Sequence, residues 1–504
     1  MTGPAQRSGA RTCLVVGLAA AIPLSMAAAV GRLDPFVILA AMVVGMLAFV
    51  AMRPGSDVVT ILTLALVAQM AIPNRLVFTP LGSAGSIGQL FGMALAGLWA
   101  GSQIVAGTNA RQRWTPLRVA VFALVAANLL SMAAAQLRPL SMVEARAADR
   151  GLLITLSMVG VCMLAADGIP NRERLDTLLR RLVMAGGGVA ALGLLAFVGG
   201  PDIASSISIP GLGVLGEAYV DTRSSFTRVN ATMAHAIEFS VVLAMILPLA
   251  IHYALFAKSN RDRWWMLAAL IAAAIPMSLS RSGVVGVAVV ALMLIPSWPA
   301  RLRSHAYWLG AGYLVIMRLL FPGLLGTIKA LFLNVGVDPS INSRTQDYDY
   351  VGSFVSETPI FGRGFGTFIP SIYDFLDNQY LVTLIEVGVV GLVALVMLFV
   401  TGLSVARGVR HRAADEETRN LGQSLAAGIA VAAINSATFD FLGFSTARFV
   451  LLILLGCAGA LWSIDRESRS SESLEWHDPD VPTTGSAEYA PSNPDDHPAY
   501  ATST

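Results

Sequence analysis

Three arginines lie in polar connections between apolar runs, where a charged side chain could bind a phosphate group. Arg228 precedes one apolar run, Arg281 lies in a Ser-Arg-Ser turn between two others, and Arg344 opens the long polar stretch 342–377. A guanidinium presents a planar fork of N–H donors that fits phosphate oxygens. An arginine held in or near a membrane costs on the order of a few kcal/mol without a partner, and such residues commonly mark a function. The three arginines therefore predict a site for a doubly charged phosphate group.

The elements that must position these arginines are membrane helices. The chain has 504 residues, of which 55% are hydrophobic and 13% charged, and its mean hydropathy is +0.67. About fourteen apolar runs approach the roughly 20 residues that cross a bilayer as a helix, and about twelve spans is the alternative because some runs are short. The composition predicts an all-α, polytopic integral membrane protein. A net charge of +2 without a basic, aromatic-rich patch gives no reason to expect nucleic-acid binding.

The connections between the runs give an orientation. Most of the 34 Lys and Arg residues fall on alternate connections, which places both termini in the cytoplasm. We expect one membrane domain over 1–463, with extracytoplasmic loops at about 201–233 and 322–377. The first run resembles a signal peptide as well, but we expect an uncleaved first span. The tail 464–504 is rich in Ser, Asp, Glu and Pro and is predicted to be disordered and cytoplasmic.

Other polar features of the stretch 342–377 have ordinary explanations. Asp347 and Asp349 form a D-x-D pair that could hold a metal and a nucleotide sugar, but an outer compartment has no nucleotide-sugar pool. The segment GRGFG, 362–366, lacks a preceding strand and a P-loop lysine and predicts a glycine turn. Glu386, in the next run, is interpreted as a structural partner for an arginine, with proton handling as the alternative. No zinc-ligand pattern or Gly-x-Ser-x-Gly elbow occurs, so we expect no metal and no cofactor.

Several motifs, in this order along the chain, resemble the O-antigen ligase and Wzy-type polysaccharide polymerase superfamily. They are RVNATMAHAIEF at 228–239, SLSRSG at 278–283, SRT at 343–345, ETPIFGRGFGTF at 357–368 and DNQYLVTLIEVGVVGL at 377–392. The resemblance implies a metal-independent, inverting glycosyltransferase of the cytoplasmic membrane with its active site on the outer face. It also implies a polyprenyl-diphosphate-linked glycan as donor and a glycan or lipid-glycan as acceptor, with membrane lipid and other envelope-glycan assembly proteins as partners.

The same resemblance suggests roles for individual residues. Outer-face arginines such as Arg228 and Arg281 hold the diphosphate in family members, and we assign Arg344, Arg363 and Asn378 to binding of the diphosphate or glycan.

The candidate base departs from the family pattern. Where ligases commonly have His followed by Asn, this chain has Asp377 and Asn378. A carboxylate can also accept the proton of the acceptor hydroxyl, because burial raises its pKa toward neutrality. His235 and Glu238, which share one helix face, are the other candidates for this catalytic role.

Several alternatives stay open at the level of sequence. A ligase and a polymerase fit the motifs equally well, and the peptidoglycan polymerases of the shape and division type share the architecture with a less similar motif order. A transporter or flippase of lipid-linked saccharides would require an internal repeat and charges along several spans, which the sequence does not show clearly. A structural scaffold would leave the outer arginines unexplained.

Overall fold

The computed structural model describes six stretches of the chain. They are 57–104, 115–200, 202–215, 222–223, 226–320 and 350–475, together with the single positions 323, 326 and 329. Outside the described residues lie the first two apolar runs of the sequence, at 12–30 and 35–52, together with Arg344 and the tail beyond Glu475. The chain divides into two compact units, 1–464 and 465–504.

The described residues are almost entirely helical. In chain order the α-helices are α1 Val58–Ala71, α2 Ile87–Ile104, α3 Pro116–Ala135, α4 Met142–Gly168, α5 Arg172–Phe197, α6 Ile203–Ser206, α7 Ala236–Phe256, α8 Arg261–Ala274, α9 Arg281–Leu294, α10 Ala300–Leu320, α11 Gln379–Arg412, α12 Glu416–Asn435 and α13 Ser445–Glu475. Residues 350–357 are also helical. Short 3-10 turns occupy Thr79–Gly85, Ile275–Ser278, Ile295–Ser297 and Phe441–Gly443.

Within the described part of the chain, six helices are long and apolar enough to cross a membrane. They are α3, α4, α5, α7, α11 and the portion Ser445–Arg469 of α13, while Val58–Ala71 and Arg281–Ser297 are shorter apolar helices. This architecture confirms the predicted all-α polytopic membrane fold. The remaining predicted spans lie outside the described residues or form helices that are shorter or less apolar.

Helix α7 lies in the interior of the bundle. It is apolar around almost its whole circumference, as expected for a helix enclosed by others. Helices α5, α8, α9 and α12 pack against it, and its buried side chains include Phe239, Leu243 and Tyr253.

Two pairs of short antiparallel strands lie in the connections between the helices. Strand β1 (Leu76–Val77) pairs antiparallel with β2 (Gly213–Val214), and β3 (Thr222–Arg223) pairs with β4 (Phe226–Thr227). Arg75 strengthens the first connection, because its guanidinium donates to the carbonyl oxygen of Ile207 at 2.9 Å. The connection after α1 and residues 204–214 are therefore held together by these contacts.

The last helix extends past the boundary predicted from the sequence. Residues 464–475 are helical, where the sequence predicts the start of a disordered tail. In the second unit, Asp465 and Arg469 form an ion pair at 2.9 Å with the i,i+4 spacing that stabilises helices. Local charge pairing thus supports helix where composition alone indicates disorder.

Candidate functional site

Four helices begin at the same end of the bundle, where hydrogen bonds join their first turns to one another or to the loop 436–444. They are α7, α9, α11 and α13. Asn378 caps α11 by accepting from the backbone N–H groups of Tyr380 at 3.0 Å and Leu381 at 3.3 Å. His235 caps α7, since its Nδ1 accepts from Ile237 N at 3.1 Å. Helix N-termini carry partial positive charge, so this end of the bundle favours an anion.

A hydrogen bond brings the loop of Arg228 to the turn of Arg281. The Arg228 Nε donates to the carbonyl oxygen of Ser278 at 3.1 Å, and both arginines are half-buried. Between Ser278 and Arg281, Leu279 adopts a left-handed conformation with φ +50°, which turns the chain sharply before α9 begins. Two of the three arginines predicted to hold the phosphate group therefore lie in segments that are hydrogen-bonded to each other.

A buried hydroxyl accompanies these arginines. Ser280 is the N-cap residue of α9, but its side chain makes no capping hydrogen bond. Its Oγ is buried without a hydrogen-bond partner among the described residues. A buried hydroxyl without a partner costs about 1–3 kcal/mol, and an anion at the N-terminus of α9 would provide an acceptor.

The loop 436–444 joins the turn of Arg281 to the start of α11. Ser282 Oγ lies 2.9 Å from Thr438 Oγ1. The backbone N–H of Gln379 donates to the carbonyl oxygen of Ser436 at 2.8 Å, and the Gln379 side chain accepts from Leu442 N at 2.6 Å. These bonds hold Asp377 and Asn378, which directly precede Gln379, beside the same loop.

Asp440 in this loop is a functional candidate that sequence reasoning missed. It is half-buried. Its pKa is raised to about 6, chiefly because the carboxyl is buried; the Gly443 backbone hydrogen bond and the charge of Arg448 oppose the shift, and the negative charge of Asp377 adds to it. The carboxyl groups of Asp377 and Asp440 therefore lie at the same end of the bundle. The sequence alone gives no reason to choose Asp440.

Glu238 links the start of α7, the start of α13 and the connection after α1. The carboxylate is fully buried. It accepts from the backbone N–H groups of Ala234 at 2.8 Å and Thr446 at 2.8 Å and from the side-chain amide of Asn74 at 3.2 Å. The structure thus places this candidate base at the N-termini of both α7 and α13, where a carboxylate neutralises donors that would otherwise be unpaired.

Arg448, a buried arginine near the start of α13, is a second residue that the sequence reasoning missed. Its side chain on α13 donates to the carbonyl oxygen of Leu442, and its charge interacts with those of Asp440 and Glu238. It is only 4% exposed. A buried cation requires such carboxylates nearby, so Arg448 helps to hold α13 and the loop 436–444 together.

The segment GRGFG is a glycine turn, as predicted, and it packs into a break in α11. Gly388 has φ +70° and ψ −166°, which interrupts the helix. The backbone N–H of Arg363 donates to the carbonyl oxygen of Ile385 at 2.8 Å, and that of Val389 donates to the carbonyl oxygen of Pro359 at 2.9 Å. The loop backbone therefore replaces hydrogen bonds that the broken helix lacks.

Glu386 contributes to the same junction. Its Oε1 accepts from the backbone N–H of Phe368 at 3.2 Å, and its carbonyl oxygen accepts from Ser131 Oγ at 2.6 Å. The structural role expected for Glu386 thus involves the backbone of the loop.

Arg363 lies in an ion-pair network at the start of α4. Its Nη2 donates to Glu144 Oε1 at 3.1 Å, and Arg138 donates to the same oxygen at 3.1 Å. Tyr373 also donates to this oxygen, at 2.9 Å, and the Arg363 guanidinium lies 4.4 Å from the Tyr373 ring centroid. The structure therefore engages Arg363, predicted to bind substrate, in contacts within the protein.

One comparison with known families matches this part of the chain. Residues 266–396 match the Wzy_C family model, described as O-Antigen ligase. The matched segment contains Arg281 and Asp377, whereas Arg228 and Asp440 lie outside it. No curated protein sequence matches the chain significantly. The family match confirms the superfamily resemblance seen in the motifs.

Proposed function

We propose that this chain, a relative of the O-antigen ligases, transfers a glycan from a polyprenyl-diphosphate carrier to a hydroxyl group of an acceptor sugar. The family match supports a ligase-like or polymerase-like role in glycan biosynthesis. The reaction takes place at the outer face of the cytoplasmic membrane. This side follows from the distribution of basic residues, which also predicts that both termini lie in the cytoplasm.

The observation that carries this proposal is a series of hydrogen bonds that links the segments carrying Arg228 and Arg281 to the loop beside Asp377. Arg228 contacts the turn of Arg281 through Ser278, and Ser282 contacts the loop that holds Asp377. A site for glycosyl transfer needs cations at the leaving group and a base at the acceptor. This end of the bundle has both, and it adds the N-terminus of α9, whose N-cap residue Ser280 makes no capping hydrogen bond.

The reaction is a single displacement that inverts the anomeric carbon. The acceptor oxygen forms a bond to that carbon while the bond from the carbon to the diphosphate oxygen breaks, and the electron pair leaves with the diphosphate. The guanidinium groups of Arg228 and Arg281 stabilise the charge that develops on the leaving group. Asp377 accepts the proton of the attacking hydroxyl, and the Ser280 hydroxyl donates to a phosphate oxygen.

The test is transfer by purified protein in detergent or liposomes. Incubation with a polyprenyl-diphosphate glycan and an acceptor should yield a longer or newly linked glycan together with released carrier diphosphate. Replacing Arg281 or Arg228 by Ala should lower the transfer rate by about 100- to 1,000-fold, the usual cost of removing one preorganised charge partner in a transition state. Asp377→Asn should nearly eliminate turnover and retain carrier binding.

Arg146→Ala is a matched control, because it removes one exposed arginine from the predicted outer end of α4 and should leave the rate within about twofold. Normal transfer by the Arg228 and Arg281 variants would overturn the diphosphate role. Movement of the lipid-linked glycan across the bilayer without bond formation would replace the transferase by a flippase.

A further inference from the structure

Helix α10 meets the rest of the bundle at the turn that carries Arg281. Met317 of α10 is buried and packs against Leu279, which lies two positions before Arg281. One turn earlier on the same face of α10, the Tyr313 hydroxyl donates to the carbonyl oxygen of Ala272 at 2.9 Å. These two contacts hold one face of α10 against the bundle at the level of the turn.

The turn gathers segments from three parts of the chain. Arg228 donates to the carbonyl oxygen of Ser278, and the next residue, Leu279, is the one that Met317 packs against. Arg228 and α10 therefore approach consecutive residues of the turn. Both lie next to the residues that lead into Arg281 and into the N-terminus of α9.

Arg318 follows Met317 directly and lies in the last turn of α10. Because Met317 packs against the turn, Arg318 lies beside the turn as well. Its side chain is exposed, whereas those of Arg228 and Arg281 are half-buried. The same end of the bundle thus has a third arginine, on the outside of the bundle, which the sequence reasoning did not select.

The exposed face of α10 that ends at Arg318 is apolar. Its side chains precede Arg318 at helical spacing and are each at least 53% exposed: Tyr307, Trp308, Leu314 and Val315. The exposed face of a membrane helix contacts lipid chains, and an arginine at its end extends its guanidinium to the charged head groups. Arg318 therefore lies where a lipid head group can reach both α10 and the turn of Arg281.

We propose that Arg318 is a third cation for the diphosphate of the lipid donor, which it contacts on the side of the Arg281 turn that faces the bilayer. This inference rests on the proposed glycosyl transfer. A polyprenyl diphosphate keeps its chain in the bilayer and its charges at the membrane surface, so it reaches the half-buried arginines from the lipid side. Arg318 is the arginine on that side, and it binds the donor without taking part in bond formation.

The first experiment measures binding without turnover. Full-length protein in phosphatidylcholine nanodiscs is titrated with polyprenyl diphosphate that carries no glycan. Arg318→Ala should weaken binding about tenfold, the usual loss for one charge-assisted contact, while Arg318→Lys keeps the charge and should stay within about threefold of wild type. Arg303→Ala is the matched control, because it removes an exposed arginine from the first turn of the same helix and should change binding by less than about twofold.

The second experiment separates binding from chemistry. A contact that is equally strong in the ground state and in the transition state changes KM and leaves kcat alone. Arg318→Ala should therefore raise the KM for the lipid donor about tenfold, with kcat and the KM for the acceptor within about twofold of wild type. Arg281→Ala, in contrast, should lower kcat. A fall in kcat without a rise in the donor KM of Arg318→Ala would indicate a structural effect on the turn and overturn the inference.

The outcomes distinguish this inference from the proposed function. Wild-type binding and donor KM in Arg318→Ala, with glycan transfer intact, would overturn the third cation and leave the transferase standing. An effect of Arg318→Ala that appears only in phosphatidylglycerol nanodiscs would assign Arg318 to ordinary anionic head groups and overturn the inference too. Binding of polyprenyl diphosphate that depends on Arg318, in a protein that transfers no glycan, would support the third cation and refute the proposed function.

Discussion

The break in α11 gives a sharp prediction about Gly388. This residue combines φ +70° with ψ −166°, a region that only glycine adopts readily, and a side chain there costs about 1–3 kcal/mol in backbone strain. A Cβ on Gly388 would also lie 2.3 Å from the carbonyl oxygen of Ile360 and 2.6 Å from Gly362 N. Both distances are far inside van der Waals contact, and both neighbours are backbone atoms that cannot rotate away.

The cost of Gly388→Ala follows from these two terms. Relief of the clash requires the loop to withdraw from the break. This would remove hydrogen bonds such as Val390 N to the carbonyl oxygen of Ile360 at 3.2 Å, each worth about 1 kcal/mol net. With the backbone strain, we expect a loss of about 3–5 kcal/mol in the free energy of unfolding. Because the break orients the segment from Gln379 to Val387, glycan transfer should fall as well.

Thermal unfolding of the detergent-solubilised protein measures this loss. Gly188→Ala in α5 is the matched control, because a Cβ there meets no atom within 4 Å and helix propensity favours alanine by up to about 1 kcal/mol. We expect the control to unfold at or slightly above the wild-type temperature and Gly388→Ala to unfold several degrees lower. Equal unfolding temperatures for wild type and Gly388→Ala would refute the inserted-loop arrangement.

Four further outcomes follow from the contacts at the site. Glu238→Gln should lower the free energy of unfolding by about 2–4 kcal/mol, because the amide NH₂ would face backbone donors; a variant as stable as wild type contradicts the shared-cap arrangement. Arg363→Lys should unfold at a lower temperature in thermal scans, since an ammonium cannot reproduce the planar fork, whereas Arg146→Lys should not. Ser280→Ala should keep or raise the unfolding temperature, as it removes an unpaired buried hydroxyl, yet weaken binding of the carrier diphosphate in a binding titration. In thermal scans across pH, Asp440 should make the wild type less stable as pH rises from about 4 to 6, because a raised pKa makes the folded state bind more protons there, and Asp440→Asn should flatten this slope.

The helices could be predicted because a membrane demands a run of apolar residues of a certain length. In the sequence, residues 234–257 are an apolar run of this length, and they contain α7 at Ala236–Phe256. The shorter apolar run 283–298 lies in α9 and its 3-10 extension. The glycine turn at 362–366 was also predictable, since glycine is the residue that adopts positive φ most readily. Gly362, Gly364 and Gly366 all do so. Local sequence carries this information, because each feature depends on neighbouring residues.

The partners of the charged residues could not be predicted, because they are distant in the chain. Glu238 accepts from Thr446, 208 residues away, and Arg363 pairs with Glu144, 219 residues away. A single sequence gives the charge of each side chain but not the side chain that faces it. For the same reason Asp440 and Arg448 had no visible signal beyond their place in or near a polar connection.

The geometry distinguishes the three candidate bases from one another. Glu238 cannot take up a proton without weakening its bonds to the backbone N–H groups of Ala234 and Thr446, which hold two helices. His235 uses Nδ1 as the acceptor of the α7 cap, so its neutral ring carries the proton on Nε2 and protonation of Nδ1 would release the helix. Asp377 is not the N-cap residue of α11, because Asn378 performs that role. This difference favours Asp377 over Glu238 and His235 as the base of the proposed transfer.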